Sequence, residues 1–157
     1  MNDHEEVIKK FYSSFQSLDV EGMKSCYHPD VRFSDPVFPD LKGPEVGAMW
    51  AMLIDALKKG DGGWKLTFSQ VAAMGDNGKC RWEAHYVFSG TGRRVHNVID
   101  AEFAFKEGKI VKHTDRFDFY RWARMAFGFT GLLMGWTPFF KNKVQVTVAR
   151  RLAKTFN

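Results

Sequence analysis

The stretch Gly108-Lys109-Ile110-Val111-Lys112-His113-Thr114-Asp115-Arg116-Phe117-Asp118 decides how the rest of the chain is read. A turn glycine is followed by residues that alternate between two faces, the period of a β-strand. Val111, His113, Asp115 and Phe117 share one face, and Ile110, Lys112, Thr114, Arg116 and Asp118 share the other. A His and an Asp on a face otherwise suited to a core are costly to bury unless they are paired or line a pocket. They are therefore the first candidates for a functional role.

Upstream, the same alternation recurs. Trp64-Lys65-Leu66-Thr67-Phe68 reads as a strand, and Gly75-Asp76-Asn77-Gly78 as a hairpin turn. Cys80, Trp82, Ala84, Tyr86 and Phe88 then share one face, as do Asn97, Ile99, Ala101, Phe103 and Phe105 after the Gly90-Thr91-Gly92 turn. His85, His96 and Asp100 fall on the outward side. Before this meander the period changes to that of helices. Asn2 and Asp3 mark a helix start, followed by the stripe Val7, Ile8, Phe11, Tyr12, Phe15 and Leu18.

Asp19 can cap a second helix turning Val20, Met23, Cys26 and Tyr27 inward, which His28-Pro29-Asp30 ends. Val31-Arg32-Phe33-Ser34-Asp35 alternates as a strand, with Asp35 on the core face ahead of Pro36. Pro44 opens a third helix burying Val46, Met49, Trp50, Leu53 and Leu57, which stops at Lys59-Gly60-Asp61-Gly62-Gly63. Helices followed by a strand meander predict an α+β fold with helices on one sheet face.

Composition narrows the partners. The 157 residues suit a single domain. The net charge of +5 belongs to residues 138–157, where Lys141, Lys143, Arg150, Arg151 and Lys154 meet no acid. The remaining 18 Lys and Arg balance 18 Asp and Glu, so the folded face lacks the basic footprint of a nucleic-acid-binding domain. Cys26 and Cys80 have neither metal-ligand spacing nor the density of a secreted disulfide scaffold. With an acidic start, no apolar signal region and no apolar run of ~20 residues, a reducing, cytoplasmic location is expected. His113 and Asp115 alone are too few for a metal site, and no cofactor is expected.

The order and spacing of these pieces resemble the nuclear transport factor 2-like superfamily, in its SnoaL-like and ketosteroid isomerase-like branches. The resemblance is carried by Leu18-Asp19-Val20-Glu21-Gly22, Tyr27-His28-Pro29-Asp30-Val31-Arg32-Phe33-Ser34-Asp35-Pro36, Lys42-Gly43, Phe103-Ala104-Phe105 and Gly108 to Asp115. It implies a cone-shaped, curved antiparallel sheet with N-terminal helices around an apolar pocket, often in a homodimer. Residues 1–118 would form that domain and 119–157 its C-terminal helical extension.

The resemblance also implies site residues. Asp35 of Asp35-Pro36 matches the ketosteroid isomerase-like base, but the position of that family's Tyr is Phe11. Its neutral Asp falls on Asp100 when counted without gaps from Gly108, but on Ala101 in the preferred register, which keeps Ile99, Ala101, Phe103 and Phe105 together and turns Asp100 outward. The arginine of epoxide hydrolases is likewise absent from the inward positions of its strand, where only Asn97 stands. The SnoaL-like Gly-Lys-Ile-x-x-His-x-Asp pattern matches His113 and Asp115, although Thr114 replaces the usual Trp.

The expected catalytic set is thus Asp35, His113 and Asp115, with Tyr12, Trp50, Tyr86, Asn97 and Phe117 as pocket residues. The reaction class implied is cofactor-independent isomerisation, cyclisation or lyase chemistry on a small apolar carbonyl compound; the alternatives are a small-ligand-binding module without chemistry and a lipid-associated protein of the same fold. Two structural alternatives stay open: Asp35 as a turn residue bonding nearby N–H groups, and His113–Asp115 as a buried structural pair. In the extension, Phe119 to Phe127 is expected to be a helix, and Thr137-Pro138 to open a last one with Phe140, Val144, Val148 and Leu152 inward. The glycine-interrupted Phe127–Trp136 segment is expected to cover the pocket mouth or a second subunit, in preference to touching a membrane.

Overall fold

The computed structural model describes residues 3–60 and 62–156. The expected start at Asn2 and the Asp61 in the expected helix stop therefore lie outside the described residues. Helix α1 (Asp3–Gln16) buries Ile8, Phe11, Tyr12 and Phe15, and α2 (Val20–Lys24) is capped by the Asp19 carboxylate accepting from the Gly22 N–H. The chain then enters β1 (Tyr27–Ser34), β2 (Leu41–Lys42) and α3 (Pro44–Lys59). The long strands β3 (Lys65–Met74), β4 (Asn77–Phe88), β5 (Arg93–Lys106) and β6 (Lys109–Arg116) follow. Helices α4 (Phe119–Phe127), α5 (Phe129–Met134) and α6 (Pro138–Lys154) complete the chain.

The six strands form one curved, unclosed sheet in the order β2-β1-β6-β5-β4-β3. Neighbours are antiparallel except β1 and β6, which run parallel, so the sheet is mixed where an antiparallel one was expected. No hairpin joins that pair; the chain between them is long enough to return in either sense. The last hairpin turns on Glu107 and Gly108, both at positive φ (54° and 76°), with Lys106 opposite Lys109. Two positive φ values match the twist of a two-residue hairpin turn.

Three expectations are corrected. Tyr27 begins a strand because α2 stops at Lys24, before His28-Pro29. Ile110 is fully buried although strand alternation alone turned it outward. Ala104 faces Lys112 and Phe105 faces Ile110, leaving Val111 as an extra residue, and such a bulge exchanges faces on one side of it. Leu53 is 37% exposed, while Ile54 takes the buried place on α3.

Tyr12 is a further correction: it was expected in the pocket and lies in the core. Its ring is fully buried, stacked on Phe68 and tilted against Trp82, and its Oη has no hydrogen-bond partner among the described residues. Burial, with the charge of Asp115 adding to it, pushes the phenol well above its ordinary range. A desolvated hydroxyl without a partner costs about 1–3 kcal/mol. Tyr12→Phe is therefore expected to leave the fold intact and raise its unfolding free energy in urea by roughly 1 kcal/mol. A comparable loss of stability would show that the hydroxyl is bonded after all.

Candidate functional site

The core of the sheet holds a run of buried polar side chains from four elements. Trp50 on α3 donates its indole N–H to Tyr27 Oη on β1 at 2.9 Å, and Tyr27 Oη lies 2.8 Å from His113 Nδ1 on β6. His113 Nε2 lies 2.9 Å from Asp115 Oδ1, which also accepts the indole N–H of Trp82 on β4 at 3.3 Å. An indole can only donate, so Tyr27 Oη accepts from Trp50 and Asp115 Oδ1 accepts from Trp82, with the His113 ring bridging Tyr27 and Asp115 through its two nitrogens. Both ring nitrogens of His113 and Oδ1 of Asp115 have partners, which is what burial of His113 (0% exposed) and Asp115 (3%) requires, while Asp115 Oδ2 makes no hydrogen bond among the described residues.

Asp115 brings a carboxylate from this run to open space. It lines a cavity of about 240 Å³ together with Asp35, Trp50, Tyr86, Asn97 and Phe117. The volume lies just below the ~300–1,000 Å³ of sites for drug-sized molecules. His113 is not on the cavity wall. It was expected beside Asp115 facing the pocket, but Phe11, Phe33 and Phe103 enclose its ring. His113 therefore acts through Asp115, as a positioning residue.

Asp35 sits just past β1, and both accounts of it hold in part. Its Oδ1 accepts the backbone N–H of Val37 at 2.7 Å and of Phe38 at 2.6 Å, which closes a turn at Pro36. Its Oδ2 makes no hydrogen bond among the described residues, and the residue lines the cavity. Burial is the main cause that pushes its pKa from 3.8 to about 7, with the charge of Asp115 adding to the rise. The two backbone N–H groups oppose it.

Two further polar groups face the same space. Asn97 is 6% exposed, and its side-chain amide has no hydrogen bond among the described residues. Tyr86 Oη accepts the indole N–H of Trp122 on α4 at 2.8 Å, and burial pushes the phenol up to about 12. Its own proton is left to point at a ligand. Val144, Val148 and Arg151 of α6 line the cavity as well, so the C-terminal extension supplies one wall.

Sequence reasoning missed Tyr27 and Trp82 as holders of the site, and Arg151 as its one cationic neighbour among the described residues lining the cavity. Trp82 had been placed on the inward face. What links it to Asp115 is strand register: Trp82 pairs with Ile99 and Asp115 with Ala101, two residues further along β5. Nothing in the local sequence of β4 carries that information.

Among the described residues, no three His, Cys, Asp or Glu side chains gather in a way that would hold a metal ion. Nor is any helix there long and apolar enough to cross a membrane.

Solved structures share this fold. TerC, crystallised with polyporic acid, matches at 20% identity and a TM-score of 0.68, over 80% of this chain and 98% of TerC. An NTF2-like protein of unknown function from Burkholderia pseudomallei matches at 16% identity and a TM-score of 0.69, over 82% and 100%. An LEH-like epoxide hydrolase of M. tuberculosis matches at 20% identity and a TM-score of 0.61, over 85% and 91%. No curated protein matches the chain by sequence. The model of the SnoaL-like domain matches residues 8–113, most of the chain. The chain belongs to the SnoaL-like domain family.

Proposed function

We propose that this protein is an acid/base enzyme acting on a small apolar carbonyl compound, with Asp115 and Asp35 as its catalytic pair. The observation that carries the reading is that the two carboxylates line one cavity in opposite settings. Asp115 is held on Oδ1 by the Trp82 indole and the His113 ring, while Asp35 has a pKa near 7 and an unbonded Oδ2. Environments that separate two carboxylates in this way assign one as base and one as acid.

Asp115 takes a proton from the C–H next to the carbonyl, and the electron pair of that bond moves into the enolate. The Asn97 amide and the neutral Asp35 carboxyl donate hydrogen bonds to the enolate oxygen, where the charge develops. Return of the proton at a different carbon completes an isomerisation; attack of the enolate carbon on an electrophile within the same molecule completes a cyclisation. A carboxyl with a pKa near the working pH is well matched to such transfers. The family resemblance adds a homodimer as the working unit. The two free, buried cysteines, Cys26 and Cys80, fit the expected reducing location.

The chemistry is tested without knowing the natural substrate. In D2O, the protein is expected to speed exchange of the α-protons of 2-tetralone, followed by proton NMR. Asp115→Asn should lower the rate at least a hundredfold and Asp35→Asn at least tenfold. The wild-type rate should fall as pH rises through about 7, where Asp35 loses its proton. Binding of the ketone with no exchange above the buffer rate would favour the module without chemistry.

Stability gives a second check. A carboxyl whose pKa is about 7 when folded and 3.8 in the free chain binds its proton more tightly in the native state. Its contribution is complete below about 4 and is lost as pH rises towards 7, with a slope approaching ~1.4 kcal/mol per pH unit. Asp35→Asn keeps an oxygen for the Val37 and Phe38 N–H groups, so it should fold and flatten that slope. An unchanged slope in the variant would mean that Asp35 does not titrate there.

A further inference from the structure

The short helix α5 inverts the usual arrangement of an amphipathic helix. Its inward side is glycine: a Cβ on Gly131 would collide with the Ala123 carbonyl oxygen of α4, and one on Gly135 with the Gly131 carbonyl oxygen. The backbone is thereby docked closely on α4, after a reversal at Gly128, whose φ is +62°. The bulky side chains are left outside. Phe129 is 71% exposed, Leu132 49%, Leu133 54%, Met134 41%, Trp136 69% and Phe139 70%. The expected role of this segment as a cover for the cavity mouth is not what its placement serves: among these six residues none lines the cavity. A contiguous set of exposed large apolar side chains on a well-anchored element marks an interaction surface.

The charges around it select the partner. Residues 119–157 contain seven Lys and Arg and no Asp or Glu. Arg124, Lys143 and Arg150 are exposed, while Lys141 lies partly buried over the Phe119 ring. A second copy meeting this face across a two-fold axis would bring two such cationic regions together with no acid of their own to pair. An anionic lipid surface supplies both missing complements, acyl chains for the apolar side chains and headgroup charge for the cations. The exposed Trp136 suits the boundary between those layers.

We propose that the α5 face, from Phe129 to Phe139, docks on anionic membrane surfaces, with Lys141, Lys143 and Arg124 at headgroup level. This is peripheral binding, in the plane of the interface. The reading is independent of chemistry in the cavity, although α6 carries both Phe139 and the cavity-lining Val144, Val148 and Arg151.

The full chain is to be tested by flotation with vesicles of phosphatidylcholine alone and of phosphatidylcholine with 30% phosphatidylglycerol. The expected result is at least tenfold tighter partition on the anionic vesicles, weakened by raised salt. Trp136→Glu and the pair Phe129→Glu with Phe139→Glu should abolish it at unchanged thermal stability, and Lys141→Gln with Lys143→Gln should weaken it severalfold. Light scattering on the same samples decides the competing occupant. Failure of the wild type to float would overturn the proposal, as would a dimer that Trp136→Glu dissociates.

Discussion

The structure depends on the hydrogen-bond chain that runs from Trp50 through Tyr27 and His113 to Asp115, where Trp82 joins from the other side. An imidazole and an aspartate stand at the centre of an aromatic core, where an unpaired polar group costs several kcal/mol. The chain meets that cost because each donor has one acceptor. Breaking any member leaves the next one unsatisfied, at about 1–3 kcal/mol. Four separate elements, α3, β1, β6 and β4, must come into register to complete it. The same contacts that permit the burial also fix where the Asp115 carboxylate stands, so fold and site share one constraint.

Around that fixed carboxylate, function follows from differences in environment. Asp35 is chemically the same group, yet it is held by two backbone N–H groups on one oxygen and left bare on the other. Burial and the neighbouring charge bring it close to neutrality in pKa. Asn97 offers an amide with no protein partner among the described residues. The cavity is closed partly by α6, beyond the residues that match the SnoaL-like domain.

Much of this was legible in the sequence where a single strand or helix period decides the outcome. Alternation in β6 put His113 and Asp115 on the inner face, and Asp35 followed from the parity of β1. The capping signals at Asp19 and Thr137 mark real helix starts, each side chain accepting from a first-turn N–H. Failures came where a non-local fact intervened. The bulge at Val111 exchanged the faces on one side of it and buried Ile110. Tyr12 lies in the core, not on the cavity wall, because the sheet side chains Phe68 and Trp82 close over it. The partners of His113 are invisible locally, since Tyr27 lies 86 residues away and was read as helical. In α5 the hydrophobic pattern gave no warning, because the inward residues are those with no side chain.

The central claim is that Asp35 and Asp115 share one cavity and that the charge of Asp115 helps to raise the pKa of Asp35. It is tested most directly by following the carboxyl carbon resonances of the aspartates by NMR from pH 3 to 9, in the wild type and in Asp115→Asn. Asp35 should titrate with a midpoint near 7 in the wild type. The midpoint should move down in the variant, where one of the causes that raise it is gone. A midpoint for Asp35 in the ordinary carboxylate range, unmoved by Asp115→Asn, would contradict the account.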